Sequence, residues 1–254
     1  MKQNQRFLRR FWIAAFTVLC VLGLLAAGFC IYVNGSYEAA PEAQALLESG
    51  KSGDVQIFQE DDRLIVAAPE EPEAGLILYP GGKVEPEAYV PLMDALAQRG
   101  IFCVLVKMPC NLAVFDADAA DGIAEQFPEI KRWYIGGHSL GGAMAASYAA
   151  GHADGLEGLL LLAAYSTEDL SGTGLRALSL YGSKDGVLNH EKYGECRKNL
   201  PADTQEIVIE GGCHAYFGMY GEQEGDNKAL ISPKDQMEET ARLAAEWVKK
   251  GKTK

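Results

Sequence analysis

The chain has 254 residues, of which 48% are hydrophobic, and a formal net charge of −12 at pH 7. This composition is typical of a globular protein with one substantial core and excludes a disordered chain. The acidic balance makes nucleic acid a poor partner, so we expect no nucleic-acid binding.

The first 33 residues have the pattern of a membrane anchor. Residues 1–10 carry four basic residues and no acidic one, and residues 11–33 carry no charge. At about 1.5 Å per residue, a helix over 11–33 is long enough to cross a hydrocarbon core of about 30 Å. Because the basic residues precede the span, we expect a cytoplasmic tail at 1–10, a single-pass transmembrane signal anchor at 11–33 and an extracytoplasmic remainder.

A cleaved signal peptide, which would leave a secreted protein, is the alternative. Signal peptides have an apolar region of about 7 to 15 residues and a cleavage site between small residues. The apolar run here is longer, and "LLAAGFC" offers no clean site. The anchor is therefore preferred. Residues 34–53, rich in small and polar side chains, are predicted to form a tether with room for one short helix, and 54–254 to form the folded domain.

From Asp54 onward, short apolar runs alternate with helical patterns. The runs predict strands at "VQIF", "RLIVAA", "GLILY", "IFCVLV", "RWYIGG", "GLLLLAA", "LRALSLY" and "QEIVIE". Residues 86–99 and 233–248 have helical periodicity. Nearly continuous apolar strands indicate a sheet that is covered on both faces, so we predict an α/β fold with a mostly parallel sheet. Ligands of such a sheet bind at the carboxyl ends of its strands.

The segment "GGHSLGG", residues 136–142, lies between a predicted strand and a predicted helix. It contains the pattern G-x-S-x-G, in which a strained turn exposes a serine hydroxyl and the glycines let strand and helix pass closely. Ser139 is therefore the candidate nucleophile.

A serine nucleophile needs a histidine base and an acid that orients the histidine. His214 follows the last predicted strand and is preferred as the base. The other histidines have contexts typical of packing or of the surface: His138, His152 and His190. Asp185, in "YGSKDGVL", follows a strand and is preferred as the acid over three aspartates in ordinary turns: Asp154, Asp169 and Asp203.

Acyl transfer also needs amides that donate to the oxyanion. One candidate is the amide of Leu140, directly after the serine. The other is expected in "PGGKVEPEAY" after the strand "GLILY", at Gly82 or Lys83.

With these residues the chain resembles the alpha/beta-hydrolase superfamily, and more specifically the compact bacterial alpha/beta hydrolase fold-5 group. The resemblance covers roughly residues 54–250 and rests on "YPGGKVEPEAYVPL", "GGHSLGG", "YGSKDGV" and "GGCHAYFGMYGEQEGDNKALIS". It implies the alpha/beta-hydrolase fold and a Ser-His-Asp hydrolase site. Cys213 departs from the group's pattern, which has a small polar residue before the histidine.

About a dozen residues separate "LLLLAA" from "LRALSLY", too few for an inserted lid domain. An open cleft favours small or short-acyl esters, and its candidate lining residues are Met108, Tyr165, Tyr216, Phe217 and Met219. An acyltransferase, a thioesterase or a non-catalytic anchored binding protein are the alternatives.

No pattern in the sequence points to a metal or an organic cofactor, so we expect none. The four cysteines after the span, Cys103, Cys110, Cys196 and Cys213, have the spacing of neither a zinc site nor a dense disulfide framework. Whether any of them pair, and the oligomeric state, stay open.

Overall fold

The computed structural model of the protein describes residues 2–60 and 64–251. The chain divides into two compact units, Met1–Ser36 and Tyr37–Lys254.

The first unit is a single long helix, α1 (Lys2–Asn34). Among the described residues, one helical stretch, Phe11–Cys30, has the length and composition of a membrane span. Its large apolar side chains are exposed, Leu24 to 74% and Phe16 to 69%. It is a candidate transmembrane helix, in agreement with the sequence prediction.

The second unit is built on a nine-stranded sheet in the order β1-β2-β3-β5-β4-β6-β7-β8-β9. The strands are β1 (Lys51–Ser52), β2 (Val55–Gln59), β3 (Leu64–Ala68), β4 (Ala74–Tyr79), β5 (Ile101–Val106), β6 (Trp133–His138), β7 (Gly158–Leu162), β8 (Arg176–Gly182) and β9 (Asp203–Ile209). The pairs β1–β2, β2–β3 and β3–β5 are antiparallel, and the strands from β5 to β9 in the sheet order are parallel. All eight predicted runs are strands in this sheet.

The sheet is buried on both faces, as the continuous apolar strands predicted. Alternate residues of β5 enter different cores: Cys103 and Leu105 belong to one, and Phe102 and Val104 to the other. The first core includes α2 (Pro41–Ser49), α3 (Val90–Ala97) and α7 (Pro233–Lys250), and the second includes α4 (Ile123–Gln126) and α5 (Leu140–Gly151). The remaining helix, α6 (His190–Cys196), lies between β8 and β9 in the chain.

The predicted tether differs from the structure. Tyr37 forms a β-bridge with Val84, and the side chains of Ala39 and Ala43 are buried in the first core. β1 then extends the sheet by pairing with β2. The folded unit therefore begins at Tyr37 rather than at residue 54, because three small or aromatic side chains and two strand residues attach this segment to the sheet and to α3.

No lid domain is inserted between β7 and β8. The structure describes every residue from 163 to 175, and this connection contains neither helix nor strand. No domain inserted between β7 and β8 therefore covers the carboxyl edge of the sheet.

Candidate active site

Four segments that follow strands meet at the carboxyl edge of the sheet. Gly82 follows β4, Ser139 follows β6, Asp185 follows β8 and His214 follows β9. Because these four strands lie in the parallel part of the sheet, their carboxyl ends point the same way. The topology thus brings the predicted site residues to one edge.

Ser139 has a backbone conformation that L-residues rarely adopt, with φ 52° and ψ −121°. Such conformations cost about 1 to 3 kcal/mol and persist only where the surroundings enforce them. The Ser139 amide donates to the Leu162 carbonyl of β7 (2.9 Å), and its own carbonyl accepts from the Ala143 amide (3.1 Å). The turn is therefore fixed by hydrogen bonds on both sides of the serine.

The glycines around Ser139 permit a close crossing of strand and helix. A Cβ at Gly137 would lie 2.5 Å from the Gly141 backbone, and one at Gly141 would lie 2.2 Å from the Pro80 carbonyl oxygen. Real Cβ atoms do not approach backbone atoms so closely. The spacing of "GGHSLGG" is thus explained by the packing of α5 against β6 and against the chain after β4.

His214 and Asp185 form a buried pair. The His214 Nδ1 atom lies 2.9 Å from Oδ2 and 3.1 Å from Oδ1 of Asp185, and the two residues are 1% and 5% exposed. Asp185 Oδ1 also accepts from the amides of Val187 (2.9 Å) and Leu188 (2.8 Å). With Nδ1 donating to the carboxylate, the neutral imidazole presents Nε2 as an acceptor.

In the part of the chain that the structure describes, the buried His214 Nε2 has no hydrogen-bond partner. His214 and Ser139 both line a cavity of about 390 Å³. Its other lining residues are Leu140, Ala143, Met144, Ala163, Ala164, Tyr165, Thr167, Val187, Leu188 and Asn189. The cavity therefore offers a mostly apolar space beside a hydroxyl and an unpaired imidazole nitrogen.

The other histidines and aspartates have different surroundings. His190 Nε2 lies 3.2 Å from the Asp185 carbonyl oxygen, and the exposed His152 lies near Asp121. Asp169 accepts from Ser171 within one turn, and Asp203 pairs with Arg176. None of these four lines the cavity with Ser139.

Of the two predicted oxyanion donors, Leu140 lines the cavity and Gly82 lies beside the Leu140 side chain. Leu140 is the first residue of α5, where the amide has no partner within the helix. Gly82 lies against it, since a Cβ on Gly82 would be 3.0 Å from Leu140 Cδ2. The alternative prediction, the Lys83 amide, is wrong: that amide donates to the Asn111 carbonyl at 2.7 Å.

A buried tyrosine connects the Gly81–Gly82 segment to the residue before the serine. The Tyr89 hydroxyl accepts from the Gly81 amide (2.8 Å) and lies 2.8 Å from His138 Nδ1. The hydroxyl proton can then be donated to Nδ1 of His138. His138 is therefore engaged in hydrogen bonding and packing, as its sequence context indicated.

His138 is buried and its ring centroid lies 4.7 Å from that of His214. Burial, and secondarily the neighbouring His214, hold the pKa of His138 well below its ordinary value. Burial likewise raises the pKa of the Tyr89 hydroxyl, although its bond from the Gly81 amide opposes this. Both side chains therefore stay neutral beside the site.

The five predicted pocket residues lie in different parts of the structure. Tyr165 lines the cavity with Ser139. Met108 and Phe217 are instead buried in the two cores, and Tyr216 lines a separate cavity beside Cys213. Met219 packs against the first core and lines a groove between α2, α3 and α7. Position in a loop after a strand did not reveal which side of the loop faces Ser139.

Sequence reasoning missed the walls that Val187, Leu188 and Asn189 form, and it missed Asp226. The Asp226 carboxylate accepts from the amides of Gly186 and Ala215, each at 2.9 Å. The only signal in the sequence was its position inside "GGCHAYFGMYGEQEGDNKALIS", the block that carried the family resemblance.

All six cysteines are free. Burial, followed by the nearby Asp226, raises the pKa of the Cys213 thiol to about 12, so this residue next to His214 is a protonated thiol. Among the described residues, no group of three or more His, Cys, Asp or Glu side chains is placed to hold a metal ion.

Residues 75–238 match the alpha/beta hydrolase family. An alpha/beta hydrolase enzyme from the metagenome of lagoon sediments at Mar Chica, Morocco, has a similar structure, with TM-score 0.56, 15% identity, and coverage of 77% of this chain and 98% of that one. Est1E from Butyrivibrio proteoclasticus has TM-score 0.54 and 13% identity over 77% of this chain and 99% of its own. A predicted CIB-like hydrolase from Thermoplasma acidophilum has TM-score 0.54 and 14% identity over 76% of this chain and 97% of its own. No curated protein sequence matches the chain.

Proposed function

We propose, because the chain belongs to the alpha/beta hydrolase family, that it is a membrane-anchored serine hydrolase acting on small or short-acyl carboxylic esters. The observation that carries the proposal is the buried Asp185–His214 pair in one cavity with the strained Ser139. A serine held this way, beside an imidazole with a free acceptor nitrogen, has the components of nucleophilic acyl transfer.

In the proposed reaction, Ser139 Oγ attacks the ester carbonyl carbon while its proton passes to His214 Nε2. The carbonyl oxygen becomes an oxyanion, to which the Leu140 and Gly82 amides donate. Collapse of this intermediate breaks the ester bond, and the alcohol leaves with the proton from His214. Water then attacks the acyl-Ser139 carbon by the same sequence and releases the acid. Asp185 holds the imidazole with Nδ1 protonated throughout.

The dimensions of the cavity support a small substrate. Ligand pockets commonly have volumes of about 300 to 1,000 Å³, and the cavity beside Ser139, at about 390 Å³, is near the lower limit. Its walls include Ala143, Ala163 and Ala164 together with Leu188, so that they are chiefly apolar. A short acyl or alkoxy group fits this space better than a charged or long-chain one.

The membrane anchor is part of the proposal. The exposed apolar surface of Phe11–Cys30 is poorly suited to water, and the four basic residues before it favour a cytoplasmic amino terminus. The hydrolase unit is then extracytoplasmic.

Substitution of the serine tests the chemistry. We expect Ser139→Ala to lower the rate of p-nitrophenyl acetate hydrolysis by about 10⁴- to 10⁶-fold, because the nucleophile is lost. The wild-type protein should react covalently with a fluorophosphonate probe and the variant should not. Melting of the variant should stay close to that of the wild type, since the side chain removed is small.

Ser183→Ala is the matched control, because Ser183, like Ser139, follows a strand at the carboxyl edge, here β8, but pairs with Glu210 and Gly211 instead of lining the cavity. This variant should react with the fluorophosphonate probe and hydrolyse p-nitrophenyl acetate as fast as the wild-type protein. A Ser139→Ala variant that retains more than a few per cent of the activity would contradict the proposal. A wild-type protein that neither labels nor hydrolyses any ester of the p-nitrophenyl series would favour the non-catalytic alternative.

Protease accessibility tests the topology. In spheroplasts of a bacterium that expresses the full chain, added protease should degrade the unit from Tyr37 onward, and the intact protein should be in the membrane fraction. Protection until lysis would contradict the orientation, and a soluble cytosolic protein would contradict the anchor. A shortened chain in the medium would show that the segment is a cleaved signal peptide.

A further inference from the structure

One carboxylate joins the two loops that carry Asp185 and His214. Asp226 Oδ1 accepts from the amide of Gly186, the residue after Asp185, and Oδ2 accepts from the amide of Ala215, the residue after His214, each at 2.9 Å. The two loops are 29 residues apart in the chain. A single side chain from a third segment thus bonds to the backbone directly beside both members of the buried pair.

The segment that carries Asp226 is docked closely against the first of these loops. A Cβ on Gly186 would lie 2.7 Å from the Gly225 carbonyl oxygen and 2.7 Å from Asn227 Nδ2. Asp226 Oδ1 also accepts from the Asn227 amide (2.9 Å), which fixes the carboxylate relative to its own backbone. This bond helps to hold the carboxylate in the orientation in which its oxygens accept from the Gly186 and Ala215 amides.

We propose that Asp226 is a positioning residue that sets the distance between Asp185 and His214. The inference rests on the proposed function, since it assigns the arrangement to the acid and base of that reaction. Asp226 acts through the backbone of Gly186 and Ala215 and touches no reacting atom. Its Oδ1 atom binds the loop that carries Asp185, and its Oδ2 atom binds the loop that carries His214.

A carboxylate is required because both contacts, and the one to Asn227, are made by donors. An asparagine has one accepting oxygen, and its amino group would face an N–H donor at the other loop. Asp226→Asn therefore releases one loop while it nearly preserves the shape of the side chain. A displacement of about 1 Å in a reacting group can reduce the rate by about 10²-fold, so small movements of the pair are measurable.

We expect Asp226→Asn, in the full-length protein in detergent, to lower kcat for p-nitrophenyl acetate about 10- to 100-fold with little change in KM. The low-field proton NMR signal of the His214 Nδ1–H···Asp185 bond, assigned by its absence in His214→Gln, should shift or broaden. In the wild-type protein, the Gly186 and Ala215 amides should exchange slowly with solvent although both lie in loops.

Asp235→Ala is the matched control. Asp235 is also an aspartate that accepts from a backbone amide and a hydroxyl, but it does so at the start of α7. Its loss should lower Tm and leave kcat and the low-field signal unchanged, which separates a general loss of stability from an effect on the pair.

Kinetics and a low-field signal for Asp226→Asn that match the wild type would overturn the inference, as would fast exchange of the two amides in the wild-type protein. If the Asn variant does not fold, the exchange measurement on the wild type decides. If the wild-type protein hydrolyses no ester, the proposed function fails separately, and the NMR signal and amide exchange still test the role of Asp226.

Discussion

At the scale of single residues, the Tyr89 hydroxyl has the most consequential contacts outside the Ser139, Asp185 and His214 group. It bonds to the Gly81 amide and to His138, which are the neighbours of the proposed oxyanion donor Gly82 and of the nucleophile Ser139. Both partners are buried, so removal of the hydroxyl leaves two polar groups without a partner. Such groups cost about 1 to 3 kcal/mol each.

We expect Tyr89→Phe to lower the free energy of unfolding by about 2 to 6 kcal/mol and to reduce kcat about 10-fold or more, because the Gly82 amide is no longer held in place. Urea unfolding and p-nitrophenyl acetate kinetics measure the two effects. Tyr79→Phe is the control: the Tyr79 hydroxyl also bonds to backbone groups, at Ala117 and Ala120, but in the opposite core. A Tyr89→Phe variant whose kcat matches that of Tyr79→Phe would argue against this role.

At the scale of elements, strands of the central sheet were predictable because each is a run of apolar residues buried on both faces. Ser139, Asp185 and His214 were predictable as candidates for a related reason, since the carboxyl ends of parallel strands converge. The segment 37–53 was not predictable: it packs through Tyr37, Ala39 and Ala43, which leave no periodic apolar pattern. Lys83 was predicted as an alternative oxyanion donor, but its amide is bonded to Asn111. Asn111 is 28 residues away in the chain, so the sequence around Lys83 did not indicate this contact.

The attachment of this segment predicts where the chain can be shortened. The Tyr37 amide donates to the Lys83 carbonyl (2.6 Å), and its carbonyl accepts from the Glu85 amide (3.0 Å). A chain that begins at residue 35 should therefore fold and hydrolyse p-nitrophenyl acetate. A chain that begins at Asp54 lacks α2, β1 and these bonds, and its free energy of unfolding should be lower by about 2 to 4 kcal/mol.

Its activity should fall as well, since the bonds from Tyr37 fix the segment that contains Gly82. Urea unfolding of both truncated chains measures the difference. Equal stability and equal activity of the two would show that residues 37–53 are dispensable, as a tether would be.

At the scale of the whole molecule, the buried neutral His138 makes stability depend on pH. Its pKa in the folded protein lies well below its ordinary value, because it is buried and, secondarily, because it faces His214. Below about pH 6.5 the unfolded chain therefore binds a proton at this residue that the folded protein does not bind. The free energy of unfolding consequently falls as the pH falls.

Between pH 7 and pH 5, this residue should cost the wild-type protein about 2 kcal/mol of stability. His138→Gln, which cannot be protonated, should lose correspondingly less over the same interval, whatever its stability at pH 7. Urea unfolding of both proteins at the two pH values measures the difference. Equal losses would mean that His138 is protonated in the folded state.

The sheet order has a consequence for self-association. β9 lies at one end of the sheet, and among the described residues no strand pairs with its outer side. An uncovered edge is a template on which a second chain can add a strand, the first step of aggregation. β9 carries exposed Asp203 and Glu206 beside the half-exposed Val208. Asp203 pairs with Arg176 and Glu206 pairs with Arg197, so an added strand would meet a row of charged side chains, which disfavours the addition. Concentrated protein should therefore stay dispersed at neutral pH.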